Sequence, residues 1–260
     1  MRIDDLDGPR CRPEFAVAAA EDLTWLGLNW DEGPDRGGEL GPYTQSEREQ
    51  TYRELLLKLV RSGDVYPCYC SRRDIQMAAQ APHEGEDEII YPGTCRPADS
   101  RLSEVGDWKD FESRLNAERN GRRPCWRFLT PTATTVRFED VRVGRREFVA
   151  GTDFGDFVAW RRDGLPSYQL ACVADDAAMQ ITEVVRGEDL LVSTARQILI
   201  ADRLGLPSAS WCHCDLLRDV NGERLAKRND SLSLRELRRQ GADPKAWIDA
   251  WEREFAGLLD

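Results

Sequence analysis

Apolar residues along this chain recur with two periods, one typical of helices and one typical of strands. From Pro13 onward they recur every three to four residues, which predicts a helix that ends near Gly27. The same spacing predicts a second helix that Ser46 caps and that runs to Ser62. Further helices are predicted over residues 99–120, 193–204, 232–240 and 244–259.

Short apolar runs between turn residues predict strands in the middle of the chain. These runs cover residues 125–129, 135–140, 147–150, 154–160, 168–173 and 181–185. Strands that are mixed with helices in this way indicate an α/β protein.

Polar residues at the ends of the last two predicted strands are candidate site residues. In open α/β sheets, ligands bind beyond the carboxyl ends of the strands, and Asp175, Asp176 and Arg186 occupy such positions. Arg186 is the strongest candidate, because a guanidinium can form two parallel hydrogen bonds with a carboxylate. The alternative is a solvated strand end that binds nothing.

The composition is that of an ordinary globular protein, with 32% charged and 41% hydrophobic residues, and 260 residues suffice for one large or two modest domains. The sequence contains neither a transmembrane run nor the apolar core of a signal peptide, so we expect a cytoplasmic protein without membrane association. The net charge of -11 argues against nonspecific wrapping of nucleic acid, although it permits a local basic face.

Cysteine usage points to metal ligation or buried thiols. Eight cysteines without a secretory signal fit these roles better than a disulfide framework. Cys68, Cys70 and Cys95 offer three soft ligands for zinc, and ordinary buried cysteines are the alternative.

The two histidines are interpreted as residues that bind no metal. His83 lies in an acidic stretch, where a solvated loop residue is the simpler interpretation. His213 lies between Cys212 and Cys214, and this trio is too close in sequence to complete a tetrahedral site alone. We therefore expect His213 to be structural.

A basic segment after a turn at Asn221-Gly222 is a candidate for phosphate binding. Residues 224–228 read Arg-Leu-Ala-Lys-Arg. A mobile cationic loop can neutralise the charge that develops on a pyrophosphate leaving group. On this pattern alone, a basic surface loop is the simpler interpretation. Neither a G-x-G-x-x-G nor a Walker pattern supports a dinucleotide or P-loop site.

Two of these segments resemble a known family. Residues 160–190, which begin W-R-R-D-G-L-P-S-Y-Q-L, resemble the second half of the catalytic core of glutamyl-type class I aminoacyl-tRNA synthetases. Residues 222–228 resemble the K-M-S-K-R loop of that family. The likeness covers nearly the whole chain and is strongest to the short, stand-alone glutamyl-queuosine tRNA(Asp) synthetase family. It implies an α/β fold, namely a Rossmann-like class I aminoacyl-tRNA synthetase catalytic core with an inserted zinc-bearing, antiparallel, acceptor-binding-like subdomain.

The resemblance also implies four segments. Residues 1–62 would form the first part of the Rossmann-like core, and residues 63–157 the zinc-bearing and acceptor-binding-like insert. Residues 158–231 would form the second half of the core with the K-M-S-K-R-like loop, and residues 232–260 the C-terminal helices.

Positions that match the family's motifs imply roles for individual residues. Asp4 is expected to bind the amino group of glutamate, with Asp in place of the usual Glu. Tyr168 and Arg186 are expected to bind and orient the same substrate. Lys227 would be the catalytic lysine, and Lys227 and Arg228 would bind ATP.

The resemblance implies cofactors and partners as well. The implied zinc ligands are Cys68, Cys70, Tyr91 and Cys95. The implied reaction activates L-glutamate with ATP and Mg²⁺ to glutamyl-adenylate and transfers the glutamyl group to queuosine in the anticodon of tRNA(Asp). We expect a monomer.

One departure from the family leaves other functions open. The family's first strand and its H-I-G-H motif match nothing in the chain, and we expect a misassigned start codon or a truncated gene before a reduced protein. One alternative function is that of a glutamyl-tRNA synthetase fragment that charges the acceptor end. The other is that of a non-catalytic, zinc-containing remnant that binds RNA or an amino acid.

Overall fold

The computed structural model of this chain describes residues 1–8, 10–78, 90–98, 107–216 and 233–255. The chain divides into two compact units. The first unit is formed by Met1–Glu47 with Cys214–Asp260, and the second by Arg48–His213. Within each unit, the residues pack against one another.

Helices and strands are mixed along the described chain, which confirms the predicted α/β class. The helices are α1 (Pro13–Trp25), α2 (Glu49–Arg61), α3 (Arg72–Ala78), α4 (Trp108–Leu115), α5 (Tyr168–Ala178), α6 (Leu191–Leu204), α7 (Leu234–Arg239) and α8 (Lys245–Phe255). The strands are β1 (Val65–Cys68), β2 (Cys125–Phe128), β3 (Thr135–Asp140), β4 (Gly144–Val149), β5 (Phe157–Trp160), β6 (Glu183–Gly187) and β7 (Ser210–Cys214). Short 3-10 helices cover Gln45–Glu47 and Glu188–Leu190. Among the described helices, none combines the length and the apolar character needed to cross a membrane.

Contacts between α1 and the C-terminal helices stabilise the first unit. The rings of Trp25 and Trp247 meet edge to face, with centroids 6.0 Å apart. Arg238 of α7 forms ion pairs with Glu21 and Asp22 of α1 at 3.0 and 3.3 Å. Exposed ion pairs contribute little, so the packing of the two partly buried tryptophan rings is the larger stabilising term.

Two β-sheets form the frame of the second unit. One sheet has the strand order β1-β2-β5 and is antiparallel. The other has the order β4-β3-β7-β6 and is mixed, because β3 runs antiparallel to β4 and parallel to β7. The parallel pairing joins Asp140 to Trp211 and so brings the β3–β4 hairpin next to the strand that contains His213.

Helix α2 contributes an apolar stripe to the core of the second unit. Its buried side chains recur at helical spacing, as Tyr52, Leu55, Leu56, Leu59 and Val60. Burial of a side chain of this size contributes roughly 1.5–3 kcal/mol. The stripe is therefore a substantial part of the stability of this unit.

The prediction of a strand from Tyr168 to Val173 is wrong, because this segment begins helix α5. Ser167 caps the helix, and its side chain accepts a hydrogen bond from the N–H of Leu170. Residues 170–175 are all buried, so burial covers consecutive positions around much of the helix circumference. A short apolar run of this kind does not distinguish a buried helix from a buried strand.

The predicted cap of α2 is also wrong. The N-cap position is occupied by Arg48, which forms no side-chain capping hydrogen bond. Ser46 instead bonds to Asp5 in the first unit, through its backbone N–H at 2.8 Å and its hydroxyl at 2.6 Å. The short helix at Gln45–Glu47 takes up the residues that would otherwise begin α2.

The other predicted elements are confirmed to within a few residues. Helices α1, α6, α7 and α8 and strands β2, β3, β4, β5 and β6 lie where the apolar spacing predicted them. The helix predicted over residues 99–120 corresponds to the shorter α4. Residues 99–106 and 256–260 lie outside the described ranges.

The sequence pattern placed Asp175 at the end of a strand, and this prediction is wrong. Asp175 is instead part of a buried ion pair. It lies in α5 and is fully buried. Its carboxylate accepts hydrogen bonds from Arg48 Nε at 2.6 Å and from Tyr52 Oη at 2.8 Å. These bonds join the start of α2 to α5. Asp176, the neighbouring candidate, lies in the same helix.

Replacing Asp175 with alanine tests the contribution of this ion pair to stability. The change Asp175→Ala removes the carboxylate that faces the buried guanidinium of Arg48, so we expect the free energy of unfolding in urea to fall by about 3–5 kcal/mol. The control is Glu147→Ala, which breaks the exposed Arg137–Glu147 pair at 2.8 Å and should cost no more than about 1 kcal/mol. Equal losses in the two variants would contradict a structural role for Asp175.

Candidate functional site

Arg186 lies near the end of β6, and its guanidinium donates hydrogen bonds to three elements of the second unit. Nη2 donates to Thr194 Oγ1 at 2.5 Å, Nε to His213 Nε2 at 3.2 Å, and Nη1 to Tyr168 Oη at 3.3 Å. The ring of Trp211 packs against the same group, with 4.8 Å from Arg186 Cζ to the ring centroid. Contacts on several sides fix the plane of the guanidinium.

The charge of Arg186 has no carboxylate partner within ion-pair distance among the described residues. Its polar contacts are a hydroxyl, a phenol and an imidazole. A guanidinium has five N–H donors, and these three bonds leave one donor on Nη1 and one on Nη2 for a ligand. Two parallel donors on a half-buried cation match a carboxylate. The structure therefore supports Arg186 as an anion-binding residue.

Tyr168 places a hydroxyl beside this guanidinium. It is the first residue of α5, and its side chain is 46% exposed. Desolvation of the phenol raises the pKa of Tyr168 to about 12, against the opposing effect of the Arg186 charge. The hydroxyl therefore keeps its proton at neutral pH. Because its oxygen accepts a bond from Arg186, its O–H can donate to a ligand that Arg186 binds.

A buried imidazole and a buried carboxylate lie on the other side of Arg186. His213 Nε2 lies 3.0 Å from Thr194 Oγ1, and His213 Nδ1 lies 2.6 Å from Asp140 Oδ2. Burial raises the pKa of Asp140, but hydrogen bonds from the N–H of Val143 and from His213 outweigh this and lower the pKa below its ordinary value. Asp140 is therefore ionised at neutral pH.

Sequence reasoning missed Asp140 and Thr194 as members of this site. The one available signal for Asp140 was its position at the start of the turn that ends at Gly144, and aspartate is common in turns. Thr194 lies inside the predicted helix with no motif to mark it. Only the pairing of β3 with β7 brings Asp140 to His213.

Asp4 belongs to the first unit, whereas Tyr168 and Arg186 belong to the second. Its carboxylate is 44% exposed and lies 2.7 Å from Arg2 Nε. Together with α1 and the other N-terminal residues, Asp4 lines a groove of about 1190 Å³. A ligand amine would share this carboxylate with Arg2 or displace Arg2, and an exposed ion pair is weak enough for such an exchange.

A second cluster combines three thiols with one phenol. The sulfur atoms of Cys68, Cys70 and Cys95 all lie within 4.8 Å of one another, and those of Cys70 and Cys95 are 3.5 Å apart. Tyr91 Oη lies 3.4 Å from Cys68 Sγ and 3.7 Å from Cys70 Sγ. The structure thus brings together all four residues that the resemblance implied as zinc ligands.

Several contacts hold Tyr91 in this cluster. Its oxygen accepts a hydrogen bond from the N–H of Cys95 at 2.7 Å. The guanidinium of Arg127 lies 3.9 Å from the centroid of the Tyr91 ring, a distance typical of cation–π contact. A Cβ atom at Gly155 would lie 3.2 Å from the carbonyl oxygen of Tyr91, so glycine allows the two backbones to approach closely.

The donor set and its spacing fit a metal ion. In a tetrahedral zinc site with Zn–S bonds of about 2.3 Å, the ligand atoms lie about 3.8 Å apart. The separations of 3.4, 3.5 and 3.7 Å in this cluster are close to that value. Hydrogen bonding by Cys125 is the main cause that lowers the pKa of Cys68, while burial raises the pKa of Cys70. The cluster could therefore hold a metal ion, with a thiolate already favoured at Cys68.

The predicted ATP-binding residues Lys227 and Arg228 lie outside the described residues, as does His83. The roles of these three residues stay predictions that rest on the sequence.

Comparison with known proteins identifies relatives over the whole chain. The family model for "tRNA synthetases class I (E and Q), catalytic domain" matches residues 1–257. The chain is 46% identical over 261 residues to the Glutamyl-Q tRNA(Asp) synthetase of Symbiobacterium thermophilum. It is 43% identical over 259 residues to the protein of the same name from Nitratidesulfovibrio vulgaris. Each alignment covers 100% of this chain and 76% of the relative.

A solved structure supports the same relationship. The crystal structure of the glutamate-tRNA synthetase from Elizabethkingia anophelis matches this fold with a TM-score of 0.70 and 27% sequence identity. The match covers 87% of this chain and 45% of that chain, so this chain spans about half the length of that synthetase. The resemblance predicted from residues 160–190 and 222–228 is confirmed.

Proposed function

Because this chain belongs to the family of class I tRNA synthetase (E and Q) catalytic domains, we propose that it activates glutamate with ATP. The products of this step are glutamyl-adenylate and pyrophosphate. The glutamyl group then passes to queuosine in the anticodon of tRNA(Asp), a reaction supported by the name Glutamyl-Q tRNA(Asp) synthetase of the relatives from Symbiobacterium thermophilum and Nitratidesulfovibrio vulgaris. Zinc, Mg²⁺ and the tRNA belong to this proposal.

The observation that carries the proposal is the guanidinium of Arg186. It is held by uncharged groups, and one N–H donor remains on Nη1 and one on Nη2. The neighbouring Tyr168 hydroxyl adds a third donor. A side-chain carboxylate of the substrate satisfies these donors, whereas the amide of glutamine would present an N–H group to one of them. The site therefore favours glutamate over glutamine.

The reaction needs positioning and charge stabilisation more than covalent chemistry. The α-carboxylate of glutamate attacks the α-phosphorus of ATP, and pyrophosphate leaves. Arg186 and Tyr168 hold the side-chain carboxylate, which leaves the α-carboxylate unhindered for attack. Asp4 binds the ammonium group. Lys227 stabilises the charge that develops on the phosphates, and Arg228 contributes to ATP binding, with Mg²⁺ bound to the nucleotide.

The thiol and phenol cluster is proposed to bind one zinc ion. Cys68, Cys70, Cys95 and Tyr91 would be its ligands, because three soft sulfur atoms that lie within 4.8 Å of one another and one oxygen 3.4 and 3.7 Å from two of them suit tetrahedral zinc. A zinc ion in such a closed site stabilises the surrounding fold. The cluster joins the end of β1 to residues 91–95 and is separate from the residues that bind glutamate.

Two alternative functions differ from the proposed reaction. One differs in the acceptor of the glutamyl group, and the other needs no ATP. A glutamyl-tRNA synthetase activity would transfer glutamate to the acceptor end of tRNA(Glu). A binding protein without catalytic activity would bind zinc, RNA or an amino acid and form no adenylate. Neither alternative is better supported than the proposed reaction by the relatives or by the site.

Glutamate-dependent exchange of label between pyrophosphate and ATP tests the activation step on the 260-residue chain without tRNA. We expect exchange with L-glutamate and not with L-glutamine. Absence of exchange with both would favour the non-catalytic alternative. Transfer of labelled glutamate to tRNA(Asp) with queuosine, but not to the same tRNA with guanosine or to tRNA(Glu), is the expected second result. Labelling of tRNA(Glu) would favour the acceptor-end alternative.

The variant Arg186→Gln tests the residue that carries the proposal. We expect kcat/KM for glutamate in the exchange reaction to fall by about 10- to 100-fold, since a charge-assisted hydrogen bond to the substrate is lost. The KM for ATP should change little. The control Arg137→Gln alters an exposed arginine of β3 and should leave both parameters unchanged. A normal kcat/KM in Arg186→Gln would exclude Arg186 from glutamate binding.

Elemental analysis tests the proposed zinc site. The purified chain should contain about one zinc ion, and Cys70→Ser and Cys95→Ser should each lose most of it, because hydroxyls are poor zinc ligands. Cys11→Ser is the control, because Cys11 is a partly buried cysteine of the first unit and lies outside the cluster. Zinc that is absent from the unmodified chain, or that survives all substitutions, would show that these are ordinary buried thiols.

A further inference from the structure

We infer that Asp140 and His213 are positioning residues that hold Arg186 in its glutamate-binding orientation. In this arrangement Asp140 fixes His213 as the neutral tautomer protonated on Nδ1, and Nε2 then accepts a hydrogen bond from Arg186 Nε. The inference rests on the proposed role of Arg186 in the proposed reaction. Asp140 and His213 act through Arg186 and touch no substrate themselves.

The carboxylate of Asp140 determines which atom of His213 carries the proton. Oδ2 lies 2.6 Å from Nδ1, and both side chains are fully buried. An ionised carboxylate can only accept hydrogen bonds, so Nδ1 must donate. Without a proton on Nδ1, two acceptors would face each other in a site that water does not reach, which is a costly arrangement.

The guanidinium of Arg186 determines the state of the other nitrogen. Arg186 Nε lies 3.2 Å from His213 Nε2 and can only donate, so Nε2 must present its lone pair. In a doubly protonated imidazolium, the N–H of His213 Nε2 would face the N–H of Arg186 Nε. It would also add a second positive charge beside the guanidinium. Together, Asp140 and Arg186 thus select one neutral tautomer of His213.

Thr194 completes this network without changing the tautomer. Its Oγ1 accepts from Arg186 Nη2 at 2.5 Å and lies 3.3 Å from the carbonyl oxygen of Leu190 and 3.0 Å from His213 Nε2. A hydroxyl can accept from the guanidinium while its own proton points to either partner. Nε and Nη2 of Arg186 are therefore both held, and one N–H on Nη1 and one on Nη2 are left for the proposed ligand.

The two carboxylate oxygens of Asp140 contact different groups, so one substitution can change the contact with His213 and keep the contacts with the backbone. Oδ1 accepts the backbone N–H groups of Arg142 and Val143 at 3.0 Å each and of His213 at 3.2 Å. These bonds hold the turn of the β3–β4 hairpin against β7. Oδ2 alone contacts the imidazole.

In Asp140→Asn the amide oxygen can retain the three backbone bonds, while the amide nitrogen takes the place of Oδ2. That nitrogen donates to Nδ1 and forces the proton of His213 onto Nε2. The new N–H then faces Arg186 Nε–H, and the guanidinium loses its support. The catalytic aspartate of serine proteases orients its histidine by the same logic, and its replacement by asparagine produces the wrong tautomer.

Nuclear magnetic resonance of ¹⁵N-labelled histidine observes the tautomer directly. The chain has two histidines, so His83→Gln leaves His213 as the single imidazole signal. At neutral pH we expect a protonated Nδ1 and an unprotonated Nε2, and the reverse in Asp140→Asn. A wild-type His213 that is protonated on Nε2, or on both nitrogens, would overturn the inference. So would an Asp140→Asn variant that keeps the wild-type tautomer.

Calorimetric titration with L-glutamate measures the consequence for binding. We expect the Kd to rise by about 10- to 100-fold in Asp140→Asn, the range expected when a charge-assisted hydrogen bond is lost. Asp156→Asn is the matched control. Asp156 is another buried aspartate, which accepts from Tyr66 Oη at 2.5 Å and from the N–H of Thr130 at 2.9 Å, and it does not contact Arg186. Its Kd should stay within about twofold of the wild type.

Two substitutions of His213 distinguish a role in holding Arg186 from a role in folding alone. In His213→Gln a carbonyl oxygen can reach the position of Nε2 and accept from Arg186, whereas the shorter side chain of His213→Asn cannot. We expect tighter glutamate binding by His213→Gln than by His213→Asn. Equal Kd values would contradict the inference, as would an unchanged Kd in an Asp140→Asn variant whose tautomer has changed.

Failure of the proposed function has a different signature. In that case the wild-type chain would bind no L-glutamate in calorimetry, while the resonance experiment would still report the tautomer of His213. An Nδ1–H tautomer that reverses in Asp140→Asn would then support the positioning of Arg186 for a ligand other than glutamate.

Discussion

The candidate site in the second unit depends on a half-buried guanidinium whose acceptors, in the part of the chain that the structure describes, are all uncharged. Arg186 lies on β6, yet its partners come from α5, α6 and β7, and the residue that fixes one of them comes from β3. The mixed sheet β4-β3-β7-β6 is what makes this convergence possible, since its parallel pairing places Asp140 beside His213. Unlike a paired arginine, a guanidinium held in this way retains its attraction for an anion.

Comparison with another buried arginine shows why the partners matter. Arg48 faces the carboxylate of Asp175 at 2.6 Å, and this pair joins two helices of the core. Its charge is compensated within the protein, so its contribution is structural. At Arg186 the only carboxylate in the network, that of Asp140, is one imidazole away and compensates the charge less directly. The protein thus keeps the geometry of a charged network while leaving the cation able to attract an anion, which we propose is the side-chain carboxylate of glutamate.

The sequence predicted the fold class and most elements, because amphipathic helices such as α2 and alternating strands such as β3 show their burial in their spacing. It failed at α5, where consecutive buried residues resemble the apolar run of a buried strand, and at Ser46, which bonds to Asp5 instead of capping α2. The residue pattern alone indicated Arg186 and the three cysteines Cys68, Cys70 and Cys95 as candidates. Family resemblance added Tyr168 and Tyr91 and gave Arg186 and the cysteines their expected roles. Asp140 could not be predicted in either way, because its role depends on a strand pairing between residues far apart in the chain.

A crystal structure of the chain with L-glutamate would test the central claim most directly. We expect one carboxylate of the ligand at about 2.7–2.9 Å from both Nη1 and Nη2 of Arg186, with the Tyr168 hydroxyl donating to it. The hydrogen bond from Arg186 Nε to His213 Nε2 should persist in that complex. Glutamate bound away from Arg186, or bound only after Arg186 separates from His213, would contradict the claim that this network is preorganised for the substrate.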